Sequence, residues 1–175
     1  MAEFQLAFQR TLRFEDDPRH PGKVTQDAGG RTRLGIAQKF HPDLPDTFFT
    51  GPAADALAQA ERMYQQEYWD RMRLAAIANQ DVANKLFDMA VNMGVHQAGV
   101  YAQRAVNALL PQSATVRLAE DGVLGEKSVA AISALSPALF YETLRDLSAA
   151  HYRHIAAMNP AQAVNLSGWL TRAKA

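Results

Sequence analysis

Residues 4–33 read FQLAFQRTLRFEDDPRHPGKVTQDAGGRTR, and a change of texture half-way along this stretch decides how the fold is read. Phe4, Phe8, Leu12 and Glu15 recur at spacings of four, four and three, which puts them on one face of a helix. From Asp16 to Arg33, two prolines and three glycines interrupt a polar run with almost no large apolar residue. That run predicts an irregular loop with a short hairpin around Lys23-Val24-Thr25. A long irregular segment inside a small domain is more often functional than idle.

Beyond the loop, helical periodicity dominates. Thr50-Gly51-Pro52 reads as a cap and first turn, followed by a stripe through Leu57, Ala60, Tyr64 and Tyr68 that ends near Trp69. A helix from about Asp81 to Met93 is apolar on most of its circumference, as buried helices are. Gly94 ends it, and another helix runs through Ala98, Tyr101, Ala105 and Leu109 to Pro111. A turn at Asp121-Gly122-Val123-Leu124-Gly125 precedes a short helix from about Lys127. A long helix then carries Phe140, Leu144, Leu147, His151 and Ile155, and Leu166 to Arg172 closes the chain. The softest boundary lies near Gly94, dividing the chain into residues 1–93 and 94–175.

Composition narrows the function. With 18 basic and 18 acidic residues the formal charge is zero, so there is no electrostatic footprint for nucleic acid. The absence of cysteine excludes disulfides, thiolate catalysis and cysteine-bound zinc. No apolar run approaches the ~20 residues of a membrane-spanning helix. Met1-Ala2-Glu3-Phe4-Gln5 lacks the basic stretch and apolar core of a secretory signal. The expectation is a protein made in the cytoplasm, with another machine delivering it to any substrate outside.

The chemistry concentrates around Glu15. It continues an apolar stripe yet stands where the helix gives way to the polar loop. Partial desolvation there disfavours the charged form, as a general acid working near neutrality requires. Asp27 and Thr32 follow in the run Asp27-Ala28-Gly29-Gly30-Arg31-Thr32, whose glycines permit a tight turn and close approach to a ligand. Two carboxyls in contrasting environments are the usual equipment for cleaving a glycosidic bond. The residues alone leave other readings open. Glu15 is equally a helix-end carboxylate, Asp27 a brace for the glycine turn, and Thr32 a helix N-cap before Gly35-Ile36.

A resemblance sharpens this. Glu15, the run from Asp27 to Thr32 and Gly35-Ile36 resemble the N-terminal signature of glycoside hydrolase family 108, a group of peptidoglycan muramidases. More loosely, the order Glu, Asp, Thr resembles the catalytic set of phage-type lysozymes. Similar motifs follow in order: Tyr68-Trp69-Asp70, Phe87-Asp88 with Asn92 and Gly94, Gln103, and Asp121-Gly122 with Gly125. Gly168-Trp169 followed by Arg172 resembles the end of the small peptidoglycan-binding region that accompanies these enzymes. Two departures stand out. Asp16-Asp17 replaces the family's two glycines, adding negative charge or an alternative second carboxylate, and Ala102-Gln103 replaces Leu-Gln.

The resemblance implies a mainly α, lysozyme-like helical domain with a long active-site loop and a small helical C-terminal lobe, residues 94–175, that binds peptidoglycan. It implies hydrolysis of the β-1,4 bond between N-acetylmuramic acid and N-acetylglucosamine, with no cofactor and no metal. Glu15 would protonate the leaving oxygen, Asp27 would position water or stabilise positive charge, and Thr32 would hold that water or carboxylate. The partners expected are glycan strands of the wall, with a cognate immunity protein or secretion component if the enzyme is a delivered toxin. A phage lysin is the other setting, and the rival readings are a wall-binding module that does not cut and a secretion-associated or regulatory protein whose enzymatic ancestry is vestigial.

Residues expected near substrate are Tyr68, Trp69, Asp88 and Asn92. Tyr64, Tyr68 and Trp69 either stack on sugars or fill the core. Asp81, Lys85, Asp88 and Asn92 form a polar line on an otherwise apolar helix, read either as its solvated face or as the cleft floor. His151 reads as a hydrogen-bonded core residue, and His20 and His41 as incidental loop residues.

Overall fold

The computed structural model describes residues 1–17, 19–27 and 30–175, with Asp27 described by its backbone alone. Helix α1 (Phe4–Glu15) leads into a loop that carries a three-stranded antiparallel sheet, β1 (Thr25–Asp27), β2 (Gly30–Arg33) and β3 (Ile36–Ala37), in the order β1-β2-β3. A hairpin is present, but its strands begin at Thr25, so Lys23 and Val24 of the expected centre precede it. Thr25 pairs with Thr32, Gln26 with Arg31 and Asp27 with Gly30, while Thr32 also faces Ala37. Thr32 is thus a strand residue, which overturns the N-cap reading.

Helices α2 (Asp46–Thr50) and α3 (Ala53–Tyr64) follow, and α3 runs directly into a π-helical stretch, Gln65–Asp70. A single 3₁₀ turn, Leu74–Ala76, leads to α4 (Gln80–Met93), whose first turn is capped by the Asn79 side chain accepting from the Val82 N–H at 3.0 Å. Then come α5 (Val95–Leu109), α6 (Glu126–Ser133), the long α7 (Pro137–Met158), a 3₁₀ stretch Pro160–Asn165 and α8 (Leu166–Lys174). Pro137 at the first turn of α7 sits where its missing N–H has no partner to lose.

Helix α4 is the hub. Val82, Ala83, Leu86, Phe87, Met89 and Ala90 are all buried, because α1, α5 and α7 cover its faces. Phe87 packs edge-on against Phe4 and Trp69, and Phe4 stacks on Phe8. A buried side chain of this kind contributes about 1.5–3 kcal/mol. One hydrophobic cluster runs from Ala2 to Leu144, across the boundary expected near Gly94. Arg33 locks the loop to this body. It is buried, and it donates to the carbonyls of Gly22 at 2.7 Å, Phe48 at 2.7 Å and Gly51 at 3.0 Å. Among the described residues no helix is long and apolar enough to cross a membrane.

Candidate active site

Ala7, Phe8 and Thr11 form the buried face of α1, and Glu15 lies one turn beyond Thr11 on that face. At Asp16 the backbone becomes extended, so Glu15 is the last side chain the helix aims. The β2–β3 turn presses against it. Leu34 and Gly35 both adopt positive φ, 53° and 77°. A Cβ at Gly35 would lie 2.4 Å from the Tyr64 hydroxyl and 2.8 Å from the Glu15 Cβ, so only glycine admits this approach. The Tyr64 hydroxyl donates to the Leu34 carbonyl at 3.1 Å and holds the turn there.

Two hollows open on either side of Glu15. One, of about 140 Å³, has Thr25 and Thr32 on its sheet wall and Asp16, Asp17 and Lys23 on its loop wall. The other, of about 50 Å³, is lined by His41, Glu67 and Tyr68 above Met63 and Val91. Glu15 and the neighbouring Gly35 line both. Burial raises the Tyr68 phenol above its ordinary range, reinforced by the negative charges of Glu67 and Glu15. Larger hollows lie elsewhere, one of about 610 Å³ between Arg10, Asp81 and Tyr141. Arg10 already pairs with Asp81 there at 3.6 Å, and that hollow does not reach Glu15.

Behind Glu15 the environment is closed and charged. Arg172, from α8, places one terminal nitrogen 2.7 Å from a Glu15 oxygen and its Nε 2.8 Å from Asp88 Oδ1. Side-chain exposure along this relay is 20% for Glu15, 9% for Arg172 and 13% for Asp88, which makes it a largely buried ion chain. Burial pushes the Asp88 carboxyl up, against the pull of Arg172 and Lys85. For Arg172 burial opposes the charge, but Asp88 and Glu15 outweigh it and the guanidinium is held more firmly protonated. Its planar fork bonds both carboxylates at once, which a lysine cannot match. The Arg172 guanidinium also lies over the Phe14 ring, 5.3 Å from the centroid.

Lys85 secures α8 itself. Its ammonium donates to the carbonyls of Arg172 at 3.2 Å and Ala173 at 2.7 Å, satisfying groups that a helix end leaves bare. Burial lowers the Lys85 pKa to about 8, with Asp88 pulling the other way. The polar line on α4 divides: Asp81 stays exposed and pairs with Arg10, whereas Lys85 and Asp88 are covered by α8 and are not part of a solvated face.

The remaining expected residues divide clearly. Thr32 and Tyr68 line the hollows beside Glu15. Trp69 is only 2% exposed and packs on Phe4 and Phe87, so its ring belongs to the core and is unavailable to a sugar. Asn92 accepts from the Tyr152 hydroxyl at 2.6 Å, tying α4 to α7. Asp27 lies at the end of β1 opposite Gly30, and its side chain is outside the described residues. Ala28 and Gly29 are likewise outside them. Asp16 accepts from the Gly22 N–H at 2.8 Å. Asp17 is gripped by Arg19 through two side-chain bonds of 3.0 and 3.1 Å, which with a backbone bond hold its carboxyl below the usual range. Both aspartates are thus engaged in bracing the loop. His151 meets the Tyr101 hydroxyl at 3.0 Å, as a hydrogen-bonded packing residue should. Among the described residues, no three of His, Cys, Asp and Glu are grouped to hold a metal.

Sequence reasoning missed Arg172, His41 and Glu67 as neighbours of Glu15. Nothing local marks Arg172, because its partners lie at the other end of the chain. His41 follows an irregular loop and Glu67 sits on a non-standard helical turn, where periodicity does not report direction.

A glutamate at a helix end, a hairpin with a threonine beside it and a flanking cleft form the arrangement on which the comparisons bear. Residues 19–94 match the family model of glycosyl hydrolase 108. The match covers the loop, sheet and helices through α4, and starts just after Glu15. Among curated proteins, none matches the chain. A solved structure, SagA of Brucella abortus, is similar over 97% of this chain and 92% of its own, with a TM-score of 0.66 and 19% identity. At that identity the likeness is one of fold. The fold is mainly α and lysozyme-like, with a small sheet in the loop, and the matched residues 19–94 include that sheet and most of the residues lining the two hollows, though not Glu15, Asp16 or Asp17.

Proposed function

We propose that this protein is a peptidoglycan hydrolase, cleaving the β-1,4 bond between N-acetylmuramic acid and N-acetylglucosamine with Glu15 as general acid. One observation carries the reading. Glu15 lines both hollows and is backed by a cation, within a fold whose glycosyl hydrolase 108 segment builds the cleft.

The chemistry runs as follows. A glycan strand crosses Glu15 with the scissile oxygen at its carboxyl. Glu15 gives its proton to that oxygen as the bond to the anomeric carbon breaks. The carboxylate so formed is what the Arg172 guanidinium binds best, so this ion pair strengthens as the proton leaves. An interaction stronger in the transition state than before it accelerates the step. Thr32 holds the attacking water, and Asp27, on the strand paired with it, is the proposed second carboxylate. Asp88 keeps Arg172 in register and is a positioning residue. Helices α5 to α8 beyond Gly94 are the proposed wall-binding region, which α8 joins to the cleft through Arg172.

Two settings fit such an enzyme. It is a phage lysin, or an effector delivered into a rival cell and countered by an immunity protein that plugs the cleft. Either acts in the periplasm or on the wall. The rival reading, a wall-binding module that does not cut, is favoured by the ion pair that already occupies Glu15. Digestion of purified peptidoglycan by the parent and by Glu15→Gln, with mass spectrometry of the fragments, separates them. Reducing muramic-acid ends from the parent alone are expected. Binding without release of sugar by either protein would replace the enzyme with the module.

A further inference from the structure

The smaller hollow beside Glu15 has a composition that the hydrolytic step does not use. Three polar groups, from His41, Glu67 and Tyr68, line it, and Met63, Ile36 and Val91 contribute apolar surface. Its volume of about 50 Å³ cannot admit a sugar ring. About 10–15 Å³ of such space already accommodates one water, so the recess holds a small substituent of about three or four heavy atoms. The larger hollow, of about 140 Å³, is the one with room for more.

The polar groups are uncommitted. Tyr64, one turn before Tyr68, spends its hydroxyl on the Leu34 carbonyl. Among the described residues, the Tyr68 hydroxyl has no such partner. His41 Nδ1 approaches Glu67 Oε1 to 3.7 Å, too long for a hydrogen bond, so the Glu67 carboxylate retains its accepting capacity. Polar groups that converge on a concave site without internal partners are placed for a ligand. The backbone adds a second observation. Glu67 and Tyr68 both lie in the π-helical stretch Gln65–Asp70, whose wider turn narrows the angle between successive side chains. That lets two neighbours face one recess while Trp69 turns into the core, and π-turns recur at functional sites because they are otherwise costly.

We infer that this recess recognises the 2-acetamido group of a hexosamine bound beside Glu15. Glu67 accepts from the amide N–H, the Tyr68 hydroxyl donates to the amide oxygen, and the methyl rests against Met63 and Val91. His41 completes the wall of the recess beside Glu67. These residues are specificity determinants rather than catalytic ones, and the inference rests on the glycosidase reading above.

The test compares purified peptidoglycan, and a short β-1,4 N-acetylglucosamine oligomer, with the same glycans after chemical de-N-acetylation. For the parent protein, kcat/KM is expected to fall by at least about tenfold on the deacetylated glycan, because a recess that bonds the amide is left unpaired. Glu67→Ala and Tyr68→Phe are expected to lose about tenfold on the acetylated substrate only, chiefly in KM, which collapses the preference. Glu67→Gln retains an accepting oxygen and should keep most of it. A variant that merely weakened the fold would lower both rates equally, and that result would overturn the inference, as would a parent with no acetyl preference. Glu15→Gln is the separate control. If it still cleaves, the catalytic assignment fails while the acetyl preference is judged on its own. If the parent cuts nothing, the same preference is read as oligomer affinity by calorimetry, and its absence refutes the recess.

Discussion

The two sides of Glu15 are built on opposite principles. In front, the hairpin and the π-turn leave Thr32, Tyr68 and Glu67 lining open hollows. Behind, α8 covers Asp88 and Lys85: its Arg172 bonds Asp88 and Glu15, and Lys85 donates to its backbone. The front keeps Glu67 and Tyr68 open to a ligand, whereas the rear is given over to holding the acid in place. The difference separates residues that touch the glycan from residues that act through Glu15. Residues 19–94, which match the glycosyl hydrolase 108 model, include Thr32, Tyr68 and Glu67 in front and Lys85 and Asp88 behind, while Glu15 and α8, the source of Arg172, lie outside them.

The largest effect should come from the residue shared by both sides. Glu15→Gln keeps size and packing but has no proton to give, and peptidoglycan cleavage should fall by about 10²–10⁴-fold with an unchanged circular dichroism spectrum. Retained cleavage would mean that the acid lies elsewhere in the cleft.

Next comes the rear. Arg172→Met strips the cation from two largely buried carboxylates and should cost about 3 kcal/mol of unfolding free energy in a urea titration. Activity should fall further than stability accounts for, and Arg172→Lys should restore folding better than catalysis. If Arg172→Met is neutral on both counts, the closed side is packing alone.

Gly35→Ala probes the contact between the sides. The positive φ and the 2.4 Å approach to the Tyr64 hydroxyl make even a methyl group strained, and a loss of about 1–3 kcal/mol is expected. Because the same methyl meets Glu15, activity should drop in parallel, measured on the same wall digest. A stable, fully active variant would show that the turn is free to withdraw.

The smallest effect is a slope. Lys85 has its folded pKa lowered to about 8 from 10.5, so between pH 8 and 10 the unfolded chain binds a proton that the folded one has released. Stability then rises with pH, by at most about 1.4 kcal/mol per unit. Above pH 10 the trend is opposed, because the unfolded tyrosines ionise while burial keeps Tyr64, Tyr68 and Tyr152 protonated in the fold. Lys85→Met should flatten the rise between pH 8 and 10 in denaturant titrations. An unchanged slope would place the titrating group elsewhere.

Much of the fold was legible because its signals are local. The apolar circumference of α4, the stripe of α1 and the glycine and proline punctuation of the loop each act within a few residues. So does the placement of Glu15, since a helix end is a short-range structure, whereas Thr32 is open to an N-cap reading until strand pairing puts it in the hairpin. Trp69 went astray for a definable reason. Extrapolating an α-helical stripe through Tyr64 and Tyr68 leaves its direction open, and the π-turn at Gln65–Asp70 rotates it into the core. Lys85 and Asp88 went astray because a polar residue on a helix reads as solvated until something is found to cover it.

By itself, then, the sequence determined the helical framework, the polar loop with its hairpin and the candidate acid at their junction, all through periodicity and turn chemistry acting over short distances. Only the tertiary structure decided what stands around that acid. Arg172 reaches Glu15 and Asp88 because α8 docks against α7 and α4's Lys85 caps its last turn, and His41 meets Glu67 because a loop returns across α3. Such pairings join residues far apart in the chain, and no local spacing encodes them. They exist only once the apolar faces have packed and fixed where each charge must go.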